Sequence, residues 1–462
     1  MVRRMAGDGT TEAGPGWSSR YGFLLATIGS AIGVGSIWKF PYEVGANGGG
    51  AFVLLYVVGL VVVVVPLMLA EFALGRRGRA DAATSMEVVA AEEAKSPRWA
   101  VFGMLGAVTS FLILSFYAVV GGWTLTYAFD TVTDGLASDA GQVTGRFETL
   151  LASAGRMATF QGLFLGLVAV VVIRGVEKGI ESAMKVLMPL MALLLSALTI
   201  YSLRTGDAGE ALRFLFVPDF GQLNGRVVLD ALGLGFFSIG VGLGILLTYA
   251  AYSPPGTDLK TVAVASVIAD TAISIMAGLA VFPVVFANDL DPGSGPGLVF
   301  ETLPVAFAAM PAGRTVAAAF FALLTVAALG SAISMLEAVV AVLHRRFGWS
   351  RQLSVVVTTA TCFVTGLGTV FSFNAWSDFH PFGWMERYET ATVYDLIDDA
   401  TSQLMLPAGG LAIAAFAGWV LSDRLLREEL DLRGRALAGL RLVLRVAAPA
   451  AIAAAAGMSL LG

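Results

Sequence analysis

Apolar runs of about 20 residues recur along the whole chain, and that is the length at which a helix crosses a bilayer. Eleven can be placed, near residues 21–44, 51–75, 99–129, 158–174, 184–203, 227–252, 261–288, 314–343, 352–373, 391–422 and 436–461. Only 14% of the 462 residues are charged and 57% are hydrophobic, whereas soluble domains carry about 25% charge. No polar linker divides the chain. The expected fold class is an all-α polytopic membrane protein with eleven transmembrane helices. No basic patch exists and the net charge is −5, which excludes nucleic acid as a partner. The single cysteine, Cys362, lies in an apolar run, so neither a disulfide framework nor a soft-metal site is expected. Two histidines, His344 and His380, are too few for a haem or zinc centre. The first 19 residues hold no apolar signal segment, so the first span is expected to act as its own insertion signal.

Basic residues alternate between the loops. The segments after spans 2, 4, 8 and 10, with Arg3, Arg4, Arg20 and Lys260, collect 21 of the 29 Lys and Arg residues, the opposite side has seven, and Lys39 lies within a span. The positive-inside rule then puts the N-terminus in the cytoplasm and, with eleven spans, the C-terminus outside the cell (inner) membrane. The longer outer connections, 130–157, 204–226, 289–313 and 374–390, contain aromatic and apolar residues, and short helices folded over the outer face are expected there.

A repeated tetrapeptide marks two of the spans. Ile32-Gly33-Val34-Gly35 lies in the middle of span 1 and Ile239-Gly240-Val241-Gly242 in the middle of span 6. Glycine costs a helix interior about 1 kcal/mol relative to alanine, so paired glycines favour unwinding. Exposed backbone at that depth is tolerable only where it lines a polar cavity. Glycine-interrupted spans at matching positions of two halves point to the binding site of a secondary transporter. The simpler reading, close helix packing through small residues, is weakened by the hydroxyls beside both breaks, Ser30, Ser36 and Ser238. The run Gly45–Gly50 lacks the Lys-Ser/Thr of a phosphate loop and is read as the turn between spans 1 and 2.

Charges inside spans are costly and by default functional. Glu43, Glu71, Glu337 and Asp399 are read as pairing or snorkelling groups that hold helices together. Asp270 differs: 261–286 is otherwise uncharged, and the carboxylate sits more than about two turns in. Such a group needs a proton or a cation partner, and hard oxygen ligands suit a small hard cation such as sodium.

These residues resemble a known family. Trp17-Ser-Ser-Arg20-Tyr-Gly22, Gly29-Ser-Ala-Ile-Gly-Val-Gly-Ser-Ile-Trp-Lys-Phe-Pro41 and Asn47-Gly-Gly-Gly-Ala-Phe52 are similar to the opening signature of the neurotransmitter:sodium symporter family. Pro66-Leu-Met-Leu-Ala-Glu71-Phe-Ala-Leu-Gly75 continues it, followed by Tyr117 with Trp123, Phe236-Phe237-Ser238, 327–331, Asp395 to Asp398, Pro407 and Gly418-Trp419. The likeness covers 17–422, and eleven spans resemble the prokaryotic amino-acid transporters of the family. It implies alternating access on a five-plus-five inverted repeat: a flexible cytoplasmic segment over 1–16, a first repeat over 17–203, an external loop over 204–226, a second repeat over 227–422, and span 11 with the C-terminus over 423–462.

The resemblance also implies two sodium sites. The first would use the Ala31 carbonyl, Ser36, Ser238, Asp270 and the substrate carboxylate, with Ser36 where the family more often has Asn. The second would use the carbonyls of Gly29, Ile32 and Ala327 with the Ser331 hydroxyl, while Gly330 stands in place of a hydroxyl ligand. Asp270 occupies a position that is Asn in chloride-dependent relatives, and Leu234 replaces a Gln ligand, so chloride independence is expected even though Tyr56 and Ser274 keep chloride-site character. Gly179 and Pro189 resemble the span 5 motif that unwinds to hydrate the second site.

Carried over in the same way, an amino-acid substrate would place its carboxylate at the amides of Gly33–Gly35 and the Tyr117 hydroxyl, and its amino group at carbonyls near Phe237, Ser238 and Ala31. Ile113, Phe237, Gly240, Leu243, Ser331 and Met335 would surround the side chain. These positions carry no charge, and Gly240 and Leu243 leave room, so a neutral, hydrophobic or aromatic substrate is expected. The outer gate maps to Lys39 and Asp398, and the inner gate keeps Trp17 and Arg20. The family's inner salt bridge has no counterpart, since its positions fall on Gly14 and near Arg345. Proton coupling through Asp270, or an amino-acid sensor on the same fold, are the alternatives to sodium symport. A membrane enzyme is disfavoured, since no Ser/His pair, HExxH motif or carboxylate pair beside a His occurs.

Overall fold

The computed structural model describes residues 16–135, 140–293 and 297–461. The flexible segment expected over 1–16 therefore lies, up to residue 15, outside the described residues, as does Gly14. Among the described residues the chain is all helix and turn, as lipid demands of a backbone that must pair internally.

In chain order the helices are α1 (Arg20–Ala31) and α2 (Phe40–Ala46), the latter entered through a π turn at Gly35–Lys39; α3 (Gly50–Gly78); α4 (Ala82–Glu92); α5 (Pro97–Thr133); α6 (Ala140–Ala152); α7 (Ala154–Val172) and α8 (Val176–Thr205); α9 (Ala208–Phe216); α10 (Gly225–Ile239) and α11 (Ile245–Ala251); α12 (Leu259–Ala287), α13 (Leu298–Ala309), α14 (Gly313–Arg346), α15 (Arg351–Ser372) and α16 (Val393–Val420); α17 (Asp423–Leu430); and α18 (Gly434–Gly457). Nine of these are individually long and apolar enough to cross a membrane, and α1 with α2, bent by 50° at their break, make a tenth. The remaining stretch expected to span, 227–252, is divided between α10 and α11, neither of which spans alone. The connections expected on the outer face contain helices as their composition implies, with α6, α9 and α13 in three of them and a short 3-10 turn, Glu386–Tyr388, in the fourth.

Both breaks fall on the repeated tetrapeptide. The last helical bond of α1 runs from Ile32 N to Ile28 O at 2.8 Å, and Ile32 then turns extended at φ −86°, ψ 108°. In the second break Gly240, Gly242 and Gly244 have φ of 72°, 88° and 73°, a left-handed backbone that a side chain would strain. The core that holds the breaks is built from α5 against α14, α8 against α12, and α3 against α11.

The interior charges have partners. Glu71 Oε1 accepts the Gly242 amide at 2.6 Å, so this carboxylate holds unwound backbone rather than a neighbouring side chain. Glu337 is fully buried and pairs with Arg351 at 2.5 Å. It also accepts from the Tyr252 hydroxyl at 3.1 Å, while Arg351 donates to the Val172 carbonyl at 2.7 Å. Removing one partner of such a pair leaves a buried charge uncompensated. Glu337→Ala is therefore expected to cost about 3–5 kcal/mol, read as a lowered melting temperature of the purified protein in detergent. An unchanged temperature would show the pair to be dispensable.

Candidate functional site

The second break faces the first across the middle of the molecule. Ser36, at the start of the π turn, and Ser238, two residues before Gly240 in the last turn of α10, each donate their hydroxyl to Asp270 Oδ1 at 2.7 Å and lie 3.0 Å from each other. Tyr56 of α3 donates to Oδ2 at 2.5 Å. All four side chains are buried. Asp270 on α12 is thereby the common acceptor for groups on α3, α10 and the Gly35–Lys39 turn, so one carboxylate ties both broken helices to the scaffold. An anion satisfied by three short hydroxyl bonds, with unwound carbonyls nearby, is a cradle for a small hard cation.

Beside it lies a small cavity, about 40 Å³ in volume. All eleven residues expected to meet the substrate line it: Ala31, Gly33, Gly35, Ile113, Tyr117, Phe237, Ser238, Gly240, Leu243, Ser331 and Met335. Ser30, Ile245 and Leu406 line it as well. The sequence marks Ser30 as a hydroxyl beside the first break but not as substrate lining; Ile245, which restarts the helix after Gly244, was missed though within reach of the glycine signal, and Leu406 had no local mark. Tyr117 OH accepts the Val34 amide at 3.2 Å, so its proton stays available to an anion in the cavity. The lining carries hydroxyls, peptide groups and apolar side chains but no charge.

Gly29, Ile32 and Ala327 are buried where α1 packs on α14. Ser331 Oγ donates to the Ser30 carbonyl at 3.2 Å. These four are brought together at the crossing, with Ser331 turned toward the end of α1.

On the far side of Phe237 a vestibule with about 2240 Å³ of atom-free space is lined by Lys39, Glu43, Asp230, Asp398 and Asp399 among others. Lys39 and Asp398 both face it, yet no ion pair joins them. The Lys39 ammonium instead sits 4.9 Å from the Phe237 ring centroid, a cation–π contact.

The opposite, arginine-rich end is closed. Trp17 donates its indole N–H to the Tyr249 carbonyl at 2.9 Å and sets its ring edge-on to Tyr249 at 4.9 Å and Tyr252 at 6.3 Å. Ser18 gives its amide and hydroxyl to Glu181 of α8 at 2.7 and 2.5 Å, and Lys185 pairs with the same carboxylate at 2.8 Å. Arg20, the first residue of α1, is exposed; its guanidinium lies by Gly256, where an added Cβ would come within 3.1 Å of Nη2, while Ser18 ties this end to Glu181. Arg345, where an acidic partner was sought, lies 5.8 Å from the Tyr252 ring and donates to the Arg79 carbonyl at 2.7 Å.

Comparisons with known proteins agree with this architecture. The sequence profile described as "Sodium:neurotransmitter symporter family" matches residues 15–144 and 146–394. The chain belongs to the sodium:neurotransmitter symporter family. It is 35% identical over 415 residues to the uncharacterized sodium-dependent transporter YhdH of Bacillus subtilis (strain 168), covering 90% of each protein. It is 31% identical over 439 residues to the uncharacterized sodium-dependent transporter MJ1319 of Methanocaldococcus jannaschii, covering 90% of this chain and 84% of that one. A crystal structure of MhsT in complex with L-phenylalanine superposes with a TM-score of 0.87 at 40% identity, covering 97% of this chain and 99% of that one. Membership places the chain among sodium-dependent membrane transporters rather than enzymes.

The closure at Trp17 combines one hydrogen bond with edge-on aromatic contacts. Trp17→Ala is expected to speed labelling of a cysteine placed at Ser253 from the arginine-rich side by roughly tenfold. An unchanged labelling rate would show that the indole does not hold this end shut.

Proposed function

We propose that this protein is a sodium-coupled symporter that imports a neutral amino acid with a large apolar or aromatic side chain, by alternating access and without chloride. The observation that carries the reading is the uncharged cavity between two broken helices, set directly against the Asp270 cluster. A free amino acid brings one carboxylate and one ammonium group. The half-helix that begins at Gly35 offers its positive end and the Tyr117 proton to the first. The carbonyls freed at Ala31 and beyond Phe237 suit the second. A charged substrate side chain would find no counter-charge among the lining residues and would be desolvated without compensation. The MhsT neighbour, solved with L-phenylalanine, supports the apolar preference.

Sodium fits the oxygen-only set of Ala31, Ser36, Ser238 and Asp270, completed by the substrate's carboxylate, which makes cation and substrate mutually dependent. The fixed charge of Asp270, on hydroxyls that include Tyr56, takes the place of a mobile anion. The positive-inside distribution supports a cytoplasmic N-terminus and an outer C-terminus across eleven spans. The two tetrapeptides support repeats over 17–203 and 227–422. Phe237 would then separate the outer vestibule from the substrate, with Lys39 and Asp398 closing over it, while Trp17 and Glu181 hold the cytoplasmic end.

Uptake of a radiolabelled panel of neutral amino acids into proteoliposomes tests this. Accumulation is expected with an inward sodium gradient, whether the anion is chloride or gluconate, and is expected to fall to background with choline or in Asp270→Ala. Uptake in choline driven by a proton gradient would refute sodium coupling. Sodium-dependent binding without uptake would point to a sensor.

A further inference from the structure

Where α1 crosses α14, the backbone leaves no space for the side chain whose absence was noted in the sequence. A Cβ built on Gly330 would lie 2.7 Å from the Gly29 carbonyl oxygen and 3.5 Å from the Met188 methyl group. The first contact is with backbone, which cannot rotate away. From the other side, a Cβ on Gly29 would lie 2.6 Å from the Met184 sulfur and 3.1 Å from the Met188 sulfur. Gly330 is therefore more than a position lacking a hydroxyl. The two helices have closed on each other there, and two thioethers of α8 fill the flank. Thioethers are soft and apolar, poor company for a small hard cation.

The one hydroxyl left at the crossing is also engaged. Ser331 Oγ donates to the Ser30 carbonyl at 3.2 Å, and it abuts Gly33 so closely that a Cβ on Gly33 would overlap it. The crossing offers neutral dipoles and no carboxylate. Of the five fully buried acidic side chains among the described residues, Glu71 holds the Gly242 amide, Glu337 holds Arg351, Asp81 caps α4, Glu181 holds Ser18 and Lys185, and Asp270 faces the breaks. A cation at the crossing would have no anionic partner in a low-dielectric surrounding, whereas one at the breaks has Asp270.

We infer that this transporter couples to a single sodium ion, held at Asp270, and that direct packing of α1 on α14 at Gly29 and Gly330 replaces the second cation position the family resemblance implies. The inference rests on the sodium-symport reading above. In consequence, the contact between α1 and α14 that a second cation would bridge is made by the chain itself. The step that releases α1 toward the arginine-rich end then depends on separating these helices and moving Met184 and Met188, not on loss of a second ion.

The test is the sodium stoichiometry of the wild-type protein in proteoliposomes. The membrane potential at which net amino-acid flux vanishes is measured over a series of sodium gradients. One sodium ion per neutral substrate is expected, with a Hill coefficient for sodium of about 1. Two ions per substrate would overturn the inference while leaving symport intact, and flux indifferent to sodium would overturn the symport reading itself. Gly330→Ser supplies a second, independent readout. Overpacking against the Gly29 carbonyl is expected to lower uptake on the order of tenfold with the Hill coefficient unchanged. A rise in apparent sodium affinity, with a Hill coefficient moving toward two, would refute the packing account. If the variant does not fold, the wild-type stoichiometry still decides.

Discussion

A single buried carboxylate organises the middle of this molecule. Asp270 receives hydroxyls from Ser36, Ser238 and Tyr56, three side chains that come from the turn after the first break, the helix before the second break, and α3. Ionised carboxylates are tolerated in such surroundings only with several charge-assisted hydrogen bonds or a cation partner. The same requirement that fixes these three groups around Asp270 also fixes the two breaks against one another. A cation arriving there would compete for the carboxylate, and the helices carrying Ser36 and Ser238 would feel that competition directly.

Breaking two helices inside a membrane protein exposes backbone groups that must be satisfied, and the fold does this with particular residues. Glu71 takes the Gly242 amide. Tyr117 takes the Val34 amide, and Ser110 donates to the Leu243 carbonyl at 2.9 Å. Gly33, Gly35 and Gly240 of the two breaks line the cavity, and in the proposed reading a zwitterion and a cation would meet the freed backbone groups there. The ends of the path are treated differently: an aromatic and carboxylate anchor at Trp17, Ser18 and Glu181 shuts the arginine-rich end, while at the other Lys39 stands over Phe237 and Asp398 accepts from Ser402 instead of pairing with Lys39.

The spans and the two breaks were legible because they rest on local signals, run length and paired glycines, and Asp270 stood out as one isolated carboxylate in an apolar helix; the lining of the cavity came from the family resemblance, not from local pattern. The division of 227–252 into α10 and α11 follows from the same glycines, although it removes that stretch from any count of continuous spans. What sequence left hidden depends on distant pairs of ordinary residues. Ser18 and Glu181 are 163 positions apart, and neither is unusual where it stands. Glu71 and Glu337 read alike as helix-holding charges, yet one serves unwound backbone and the other an arginine. Arg20 is expected at the inner gate only through the family resemblance, and the structure sets it, exposed, at the start of α1 beside Gly256. Gly330 showed in sequence only as a missing hydroxyl; that α1 has closed onto it is a fact of packing.

The central claim is that Asp270 holds the cation on which substrate binding depends. Equilibrium binding of radioactive sodium to the purified transporter, with and without a saturating aromatic amino acid, measures this most directly. Saturable sodium binding, strengthened by the amino acid and abolished in Asp270→Ala, is the predicted result. Sodium binding of wild-type strength in Asp270→Ala would contradict it.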